Sequence, residues 1–232
     1  MLLEDYPLHM ELTLRHIRDC LNARGVLGLK NSLLLSAGTA LGGTVIAAFA
    51  AYAAARHRGG LARSVHLLST LTLSIPGLVL GLAYVLAFKR TALYETMGIL
   101  IFSSIIHFFT TPYLMLYQTF DKLNANLEGT GRVLGVPPFR LFANVFLPQC
   151  AETLLDMFSY FFLNAMVTIS AVSFLATAQT RPLSMLVTQY SDQINPEGAA
   201  VLSFFILTIN LLVRGIVFLL KHLLCTPARA AQ

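Results

Sequence analysis

Side chains that could perform catalysis are few in this sequence and do not form a catalytic set. The carboxylates of Glu152 and Asp156 stand four residues apart, a spacing that places two acids on one helix face. They lie at one end of an apolar stretch, where an interfacial or loop-packing role is the simpler interpretation. No H-E-x-x-H or G-x-S-x-G pattern occurs in the chain. An intramembrane enzyme would therefore lack the residues that its chemistry requires.

The sequence also lacks the residues that hold nucleotides and metals. No G-x-x-x-x-G-K-[ST] loop is found, so the chain has no means of cradling ATP phosphates. Cys20, Cys150 and Cys225 are far apart and form no C-x-x-C pair, which favours a role as small hydrophobic residues. We expect no cofactor and no metal in this chain.

A different chemistry is suggested by polar side chains inside long apolar stretches. At membrane depth such groups usually face a bundle interior or a water-filled path, where they can hydrogen-bond a passing solute. Each can equally bond to a neighbouring helix, and an arginine can extend to the membrane interface. Asn164 and Thr168, four residues apart, should share one helix face. The candidates for a substrate path are His107, Asn164, Thr168, Ser170, Asn210 and Arg214.

The elements that must position these side chains are membrane helices. The chain of 232 residues is 56% hydrophobic and 12% charged, against about 25% charged residues in soluble domains. Its net charge of +5 is spread over the connections, which indicates membrane topology rather than a nucleic-acid surface. Five stretches reach the ~20 apolar residues that a transmembrane helix needs. The sequence predicts an all-α polytopic bundle of about five transmembrane helices, over residues 31–55, 64–88, 96–118, 154–176 and 199–220.

Glycines and prolines within the stretches indicate how the helices pack and bend. Gly38 with Gly42 and Gly77 with Gly81 have the G-x-x-x-G spacing that lets another backbone approach, although glycine is common in membrane helices generally. Pro76 and Pro112 are expected to kink or break the second and third helices, respectively. Basic residues in 56–63, in 119–152 and in the tail favour placing those regions in the cytoplasm.

The connection between the third and fourth stretches carries the most specific pattern. Residues 127–148 are too many and too hydrophobic for a simple turn. Apolar residues recur at helical spacing on both sides of a break at 135–138. The pattern predicts two short helices with a turn between them, which could dock in a groove of a partner. The apolar positions are Leu127, Val133, Leu134, Leu141 and Phe142.

This connection resembles the cytoplasmic loop of permeases from binding-protein-dependent ABC importers, the type I importers. That loop has the pattern Glu-Ala-Ala, three residues, Gly, nine residues, Ile, any residue, Leu-Pro. Gly135 takes the glycine position and Val145 the isoleucine position, and Leu147 with Pro148 forms the closing pair. The resemblance extends from about residue 6 to about residue 218, and residues 74–84 look like the family's second core span.

The sequence departs from the family at the head of the pattern. Gly129, Thr130 and Gly131 occupy the Glu-Ala-Ala positions, and the nearest acid, Glu128, stands one residue early. Small residues at these positions still permit close docking. In the family this loop is a coupling helix that sits in a groove of the ATPase subunit. The resemblance therefore implies that the ATPase-coupling residues are Glu128, Gly129, Thr130, Gly131, Gly135, Val145, Leu147 and Pro148.

The resemblance also implies partners and a mechanism. Two permease chains, identical or paralogous, would form the path, and a soluble extracytoplasmic binding protein would deliver the substrate. ABC ATPase subunits would bind ATP and Mg²⁺ and drive alternating access. The expected location is the bacterial inner (plasma) membrane. A channel is compatible with the composition, but a channel would not need the coupling loop.

The resemblance further suggests a domain layout and a substrate. We expect an extracytoplasmic N-terminal segment over residues 1–30, a transmembrane permease domain over 31–222 with a cytoplasmic coupling loop at 119–152, and a cytoplasmic tail over 223–232. Family members often have one more N-terminal span, so either five spans form the core or the start has been placed late. Residues 106–113 and 164–175 look most like permeases for 2-aminoethylphosphonate, with ferric-iron and polyamine permeases as the alternatives.

Overall fold

A computed structural model shows a chain built from α-helices joined by short connections. It describes residues 23–56, 59–124, 126–193 and 195–229, with side chains as far as residue 223. The chain is 81% helical, and no strand occurs in the described ranges. The predicted all-α class is confirmed. The helices are α1 (Ala23–Arg56), α2 (Gly60–Leu71), α3 (Gly77–Phe88), α4 (Met97–His107), α5 (Thr110–Lys122), α6 (Leu127–Val133), α7 (Pro138–Leu141), α8 (Leu147–Gln149), α9 (Ala151–Val167), α10 (Leu183–Asp192) and α11 (Pro196–Arg229).

Two helices are long and apolar enough to cross a membrane without interruption. They are Arg24–Arg56 in α1, with 33 residues, and Pro196–Leu223 in α11, with 28 residues. At 1.5 Å per residue, both exceed the ~30 Å of a bilayer's hydrocarbon core. The first and fifth predicted spans are therefore confirmed as continuous helices.

The second and third predicted spans are each formed by two helices with a break between them. In the second, a 3₁₀ turn at Thr72–Ser74 ends α2, and Ile75 is extended because the residue before a proline avoids helical dihedrals. Pro76 then precedes α3, and its carbonyl accepts the amides of Val79 and Leu80. In the third, α4 ends at His107 and α5 begins at Thr110. The predicted interruption of both spans is confirmed.

The fourth predicted span differs from the structure at its end. Helix α9 stops at Val167, so residues 168–176 form turns and not the last part of a helix. The run from Val167 to Ile169 is β-branched, which lowers helix propensity. Side-chain hydroxyls donate hydrogen bonds to carbonyls that the helix no longer pairs: Ser184 donates to the carbonyl of Thr168 at 2.7 Å, and Ser103 donates to that of Ala171 at 3.1 Å. Non-helical backbone of this kind is tolerated inside a membrane protein where other parts of the protein satisfy its polar groups.

The chain divides into two compact units, whose boundaries fall within α1, α4, α9 and α11 and between α2 and α3. The first unit comprises Met1–Thr39, Pro76–Ser104 and Phe162–Val213, and the second comprises Ala40–Ile75, Ile105–Phe161 and Arg214–Gln232. The first has two apolar clusters, one around Leu35, Ile99, Leu100, Val172 and Leu175, the other around Met166, Leu183, Leu186, Val201, Leu202 and Ile206.

Side chains of α4, and not another backbone, lie beside the first glycine pair. A Cβ atom at Gly38 would lie 2.6 Å from the Cδ1 atom of Ile101, and one at Gly42 would lie 3.2 Å from the Cδ1 atom of Ile105. Isoleucine side chains of α4 therefore occupy the space that glycine leaves on α1.

Candidate functional site

The segment between α5 and α9 forms two short helices around a glycine turn, as predicted. Helix α6 ends in a Schellman motif, in which the amide of Gly135 donates to the carbonyl of Arg132 at 3.1 Å and the amide of Val136 to that of Gly131 at 2.9 Å. Gly135 has φ +67°, a left-handed conformation that other residues adopt at a cost. Pro138 then begins α7. The glycine of the family pattern therefore fixes the sharp turn of the segment.

The apolar residues of this segment separate into an inner and an outer set. Leu141, Phe142 and Phe146 are buried. Val133 and Leu134, by contrast, are 88% and 71% exposed. Phe139, which the sequence analysis did not single out, is also 71% exposed. We call Val133, Leu134 and Phe139 the apolar tip.

The inner set belongs to an aromatic cluster with α1 and α5. The ring of Tyr52 lies 4.8 Å from that of Phe142, 5.4 Å from that of Phe146 and 5.8 Å from that of Phe120, measured between centroids. Phe49 stacks on Phe142 at 5.2 Å. Aromatic pairs at these distances each contribute about 0.5–1.5 kcal/mol beyond the area they bury. The π-helical stretch Phe142–Phe146 is therefore held firmly against α1.

Arg56, at the C-terminal end of α1, connects three parts of the second unit. Its Nε and Nη2 atoms bond the two carboxylate oxygens of Glu128 in α6 at 2.5 and 2.6 Å. Its guanidinium also donates to the carbonyl of Phe120, near the end of α5, at 3.3 Å and to those of the two residues after the helix, Leu123 at 3.1 Å and Asn124 at 2.7 Å. The guanidinium carbon lies 5.2 Å from the ring centroid of Phe146. One side chain thus joins α1, the end of α5 and the segment that follows it.

The acid of the family pattern is displaced by one residue, yet it still has a basic partner. The Arg56 side chain is 7% exposed and that of Glu128 is 22% exposed. A two-point contact between a fork of donors and a carboxylate fixes direction as well as distance. Sequence analysis missed Arg56, because a separation of 72 positions from Glu128 leaves no spacing signal.

The acid pair considered first in the sequence has a structural partner. Asp156 on α9 forms an ion pair with Lys221 on α11, with 2.5 Å between Oδ2 and Nζ. Helices α9 and α11 are therefore joined at this level by a pair of opposite charges.

The candidate path residues lie in both units. Thr168 is buried just beyond the end of α9, and Ser170 lies in the turns that follow, where its carbonyl accepts the hydroxyl of Ser173. Asn164, on α9, and Asn210, on α11, belong to the first unit with them, whereas His107 belongs to the second. The Oγ1 atom of Thr168, the Oδ1 atom of Asn210 and the Nδ1 atom of His107 are buried without a hydrogen-bond partner.

One of these residues lines a groove of about 340 Å³ in the first unit. Asn210 lines this groove together with two serines, Ser184 and Ser203, and with apolar residues of which Val167 and Ile169 are two. Arg214, in the second unit, donates weakly to the hydroxyl of Ser159 at 3.4 Å. A polar route through these residues stays a prediction.

The helical architecture and the loop pattern agree with the comparison to known families. The family described as "Binding-protein-dependent transport system inner membrane component" matches residues 33–224. The chain belongs to this family.

Individual relatives transport different solutes according to their names. The chain is 28% identical over 194 residues to the Fe(3+)-transport system permease protein FbpB 2 of Haemophilus influenzae, a match that covers 82% of this chain and 38% of the relative. It is 29% identical over 124 residues to the spermidine/putrescine transport system permease protein PotC homolog of Mycoplasma genitalium, covering 52% of this chain and 44% of the relative. The chain thus spans less than half the length of these curated relatives.

Solved structures of ABC transporters share the fold. A bacterial ABC transporter involved in import of the acidic polysaccharide alginate superposes with a TM-score of 0.77 at 14% identity, covering 96% of this chain and 85% of that chain. The bacterial alginate ABC transporter in complex with an alginate pentasaccharide-bound periplasmic protein superposes with a TM-score of 0.73 at 13% identity, and the match covers 90% of this chain and 82% of that chain.

Proposed function

We propose that the chain is the membrane-spanning permease subunit of an ATP-driven importer and works by alternating access. Its family, its candidate spans and its fold support this role. Since the sequence has no phosphate-binding loop, ATP and Mg²⁺ would be bound by a separate ABC ATPase subunit. A second permease chain and a soluble extracytoplasmic binding protein would complete the importer, in the inner membrane of a bacterium.

The observation that carries the proposal is the apolar tip held out by a rigid segment. Val133, Leu134 and Phe139 expose most of their surface, although burying such side chains would release about 1.5–3 kcal/mol each. An exposed apolar cluster on short helices is suited to a groove in another protein. We place this tip in the groove of the ATPase, with the coupling residues Glu128 to Gly131, Gly135, Val145, Leu147 and Pro148 around it.

The contacts of Arg56 supply a route from this tip to the membrane helices. A shift of α6 pulls on Glu128, and the ion pair passes the displacement to the end of α1. The same guanidinium holds the end of α5 through three carbonyls. Ordinary loops would absorb such a movement, whereas paired charges and packed rings transmit it because interfaces of this kind are not continuously deformable.

The orientation that suits this route is the one predicted from the charges. We place residues 119–152 and 223–232 in the cytoplasm, residues 1–30 outside it, and residues 31–222 in the permease domain.

The solute is proposed at the level of a class, a small polar or charged molecule. The sequence predicted 2-aminoethylphosphonate, and the relatives described above are named for ferric iron and for spermidine and putrescine. Neither of those names supports the phosphonate, so ferric iron and polyamines stand beside it as candidates. His107, Asn164, Thr168, Ser170 and Asn210 are the residues we propose along the path.

Photocrosslinking of the apolar tip tests the proposed docking. A photoreactive phenylalanine analogue at Phe139 should crosslink the ATPase subunit in the assembled transporter. The same analogue at Phe204 is the matched control, since Phe204 is 66% exposed but lies in the membrane-spanning part of α11. Crosslinks to the ATPase from Phe204 alone, or from neither position, would overturn the assignment of the tip.

A further inference from the structure

Two arginines flank the apolar tip, one on each of its helices. Arg132 directly precedes Val133 and Leu134 in α6. Arg140 directly follows Phe139 in α7. Both arginines are exposed, and neither side chain forms a hydrogen bond or an ion pair with any other residue that the structure describes. The surface around the tip therefore carries two positive charges that have no counterion in the described part of the chain.

The acid of this segment is engaged elsewhere. Residues 127–149 contain two basic residues, Arg132 and Arg140, and one acid, Glu128. Glu128 stands four residues before Arg132, a spacing at which opposite charges on a helix can pair. Its two carboxylate oxygens instead bond Arg56, at 2.5 and 2.6 Å. The negative charge of the segment thus serves a contact within the second unit, and the exposed charge of the segment is positive.

This distribution of charge determines what a partner of the tip must supply. When the apolar side chains enter a groove, the arginines beside them lose part of their hydration, which costs free energy unless each guanidinium finds an acceptor. A carboxylate offers two oxygens that match the fork of guanidinium donors. Opposite charges at the edge of an interface also speed association, and like charges exclude a wrong partner.

We propose that the groove that receives the apolar tip has an apolar floor and carboxylates at its rim, which pair with Arg132 and Arg140. This inference rests on the proposed function, because it takes the ATPase subunit as the protein that provides the groove. It adds the chemistry of recognition: the permease contributes the guanidinium groups and the ATPase contributes the carboxylates. An ATPase with basic residues at the same rim would be rejected even if its groove fitted the tip.

Zero-length crosslinking detects such carboxylates directly. A carbodiimide joins a lysine amine to a carboxylate in contact with it, forming an amide while the carbodiimide takes up the water that is lost, and it does not join arginine. In the assembled transporter we expect Arg132→Lys and Arg140→Lys to form crosslinks to aspartate or glutamate of the ATPase, above the background of the unsubstituted protein. Arg90→Lys is the matched control, because Arg90 is an exposed arginine that the proposed orientation places outside the cytoplasm.

The salt dependence of assembly measures the contribution of the charges. In neutral detergent without anionic lipid, Arg132→Gln and Arg140→Gln should each bind the ATPase about fivefold more weakly at low salt, the upper end for an exposed ion pair. The double variant should bind about 25-fold more weakly if the two pairs are independent. These differences should shrink in 1 M salt, where charges are screened beyond about 3 Å. Effects that appear only after phosphatidylglycerol is added would assign the arginines to lipid headgroups and overturn the proposal.

Photocrosslinking from Phe139 distinguishes failure of this inference from failure of the proposed function. Crosslinks from Phe139 to the ATPase without any from the two introduced lysines would overturn the acidic rim and leave the docking of the tip in place. Equal assembly of all variants at low salt would do the same. Absence of ATPase crosslinks from Phe139 would contradict the proposed function and this inference with it.

Discussion

Neutralising Glu128 should loosen the coupling segment without unfolding the membrane helices. Glu128→Gln keeps the shape of the side chain but removes the charge that Arg56 faces at 2.5 Å. Arg56 would keep its three bonds to the carbonyls at the end of α5. The substitution therefore separates the contact with α6 from the contact with α5.

The size of the effect follows from burial and bond type. Hydrogen bonds to charged groups contribute about 1.5–3 kcal/mol each, and a two-point ion pair loses part of this when water reaches it. Because Glu128 is 22% exposed, we take the lower end, about 1.5 kcal/mol, for the docking of α6. This corresponds to about a tenfold increase in the population of the undocked segment. Arg56→Gln also removes the bonds to the carbonyls, so we expect it to lower the docking free energy of the segment by about 3–5 kcal/mol.

Hydrogen exchange of the α6 amides measures this docking directly. In Glu128→Gln the exchange in Leu127–Val133 should accelerate about tenfold, with α11 unchanged. Arg140→Gln, an exposed arginine of α7, serves as the control and should leave the exchange unaltered. The double variant of Arg56 and Glu128 should exchange no faster than Arg56→Gln alone, because the interaction is already lost. Additive effects of the two single changes, or unaltered exchange in Glu128→Gln, would refute the connection between α1 and α6.

Three further predictions concern the turn, the topology and the path. Gly135→Trp should abolish transport with near-normal membrane levels: a φ of +67° costs a side chain about 1–2 kcal/mol in the turn, but a Cβ there meets nothing within 4 Å inside the chain, so the bulk would project towards the ATPase; loss from the membrane would indicate a folding role instead. In intact cells, with Cys20 and Cys225 replaced by serine, an impermeant thiol reagent should label Asn195→Cys but not Asn126→Cys, and the reverse pattern would contradict the proposed orientation. Native Cys150 should stay unlabelled in such an assay even in opened membranes, because burial raises the pKa of its thiol from 9.0 to about 11 and leaves little thiolate at neutral pH. Asn164→Leu should lower substrate uptake with normal yield of the assembled complex, whereas reduced yield would assign Asn164 to helix packing.

Local patterns predicted the parts of the fold that depend on short stretches of sequence. Hydropathy identified the continuous helices α1 and α11, and Pro76 marked the interruption of the second span. Helical spacing on either side of Gly135 predicted the pair α6 and α7. In each case the decisive property, apolar length or a special backbone conformation, belongs to residues that are neighbours in the chain.

Features that depend on distant residues were not predicted. The apolar run after Val167 looks like the continuation of a helix, and the hydroxyls of Ser103 and Ser184, which are distant in sequence, satisfy two of the carbonyls that its departure from the helix leaves free. The partner of Glu128 was missed for the same reason, since Arg56 appeared in the sequence as one more basic loop residue. Hydropathy ranks residues by type, whereas these contacts depend on which side chains the fold brings together.

Uptake by reconstituted transporter tests the central claim most directly. The chain would be purified with its ATPase and second permease subunits, placed in proteoliposomes with binding protein, and supplied with labelled 2-aminoethylphosphonate, ferric iron or spermidine in turn. We predict uptake of one of these solutes that requires both ATP and the ATPase subunit and that is lost in Gly135→Trp. Uptake that continues without ATP and without the ATPase would show a channel or a passive carrier and would contradict the account.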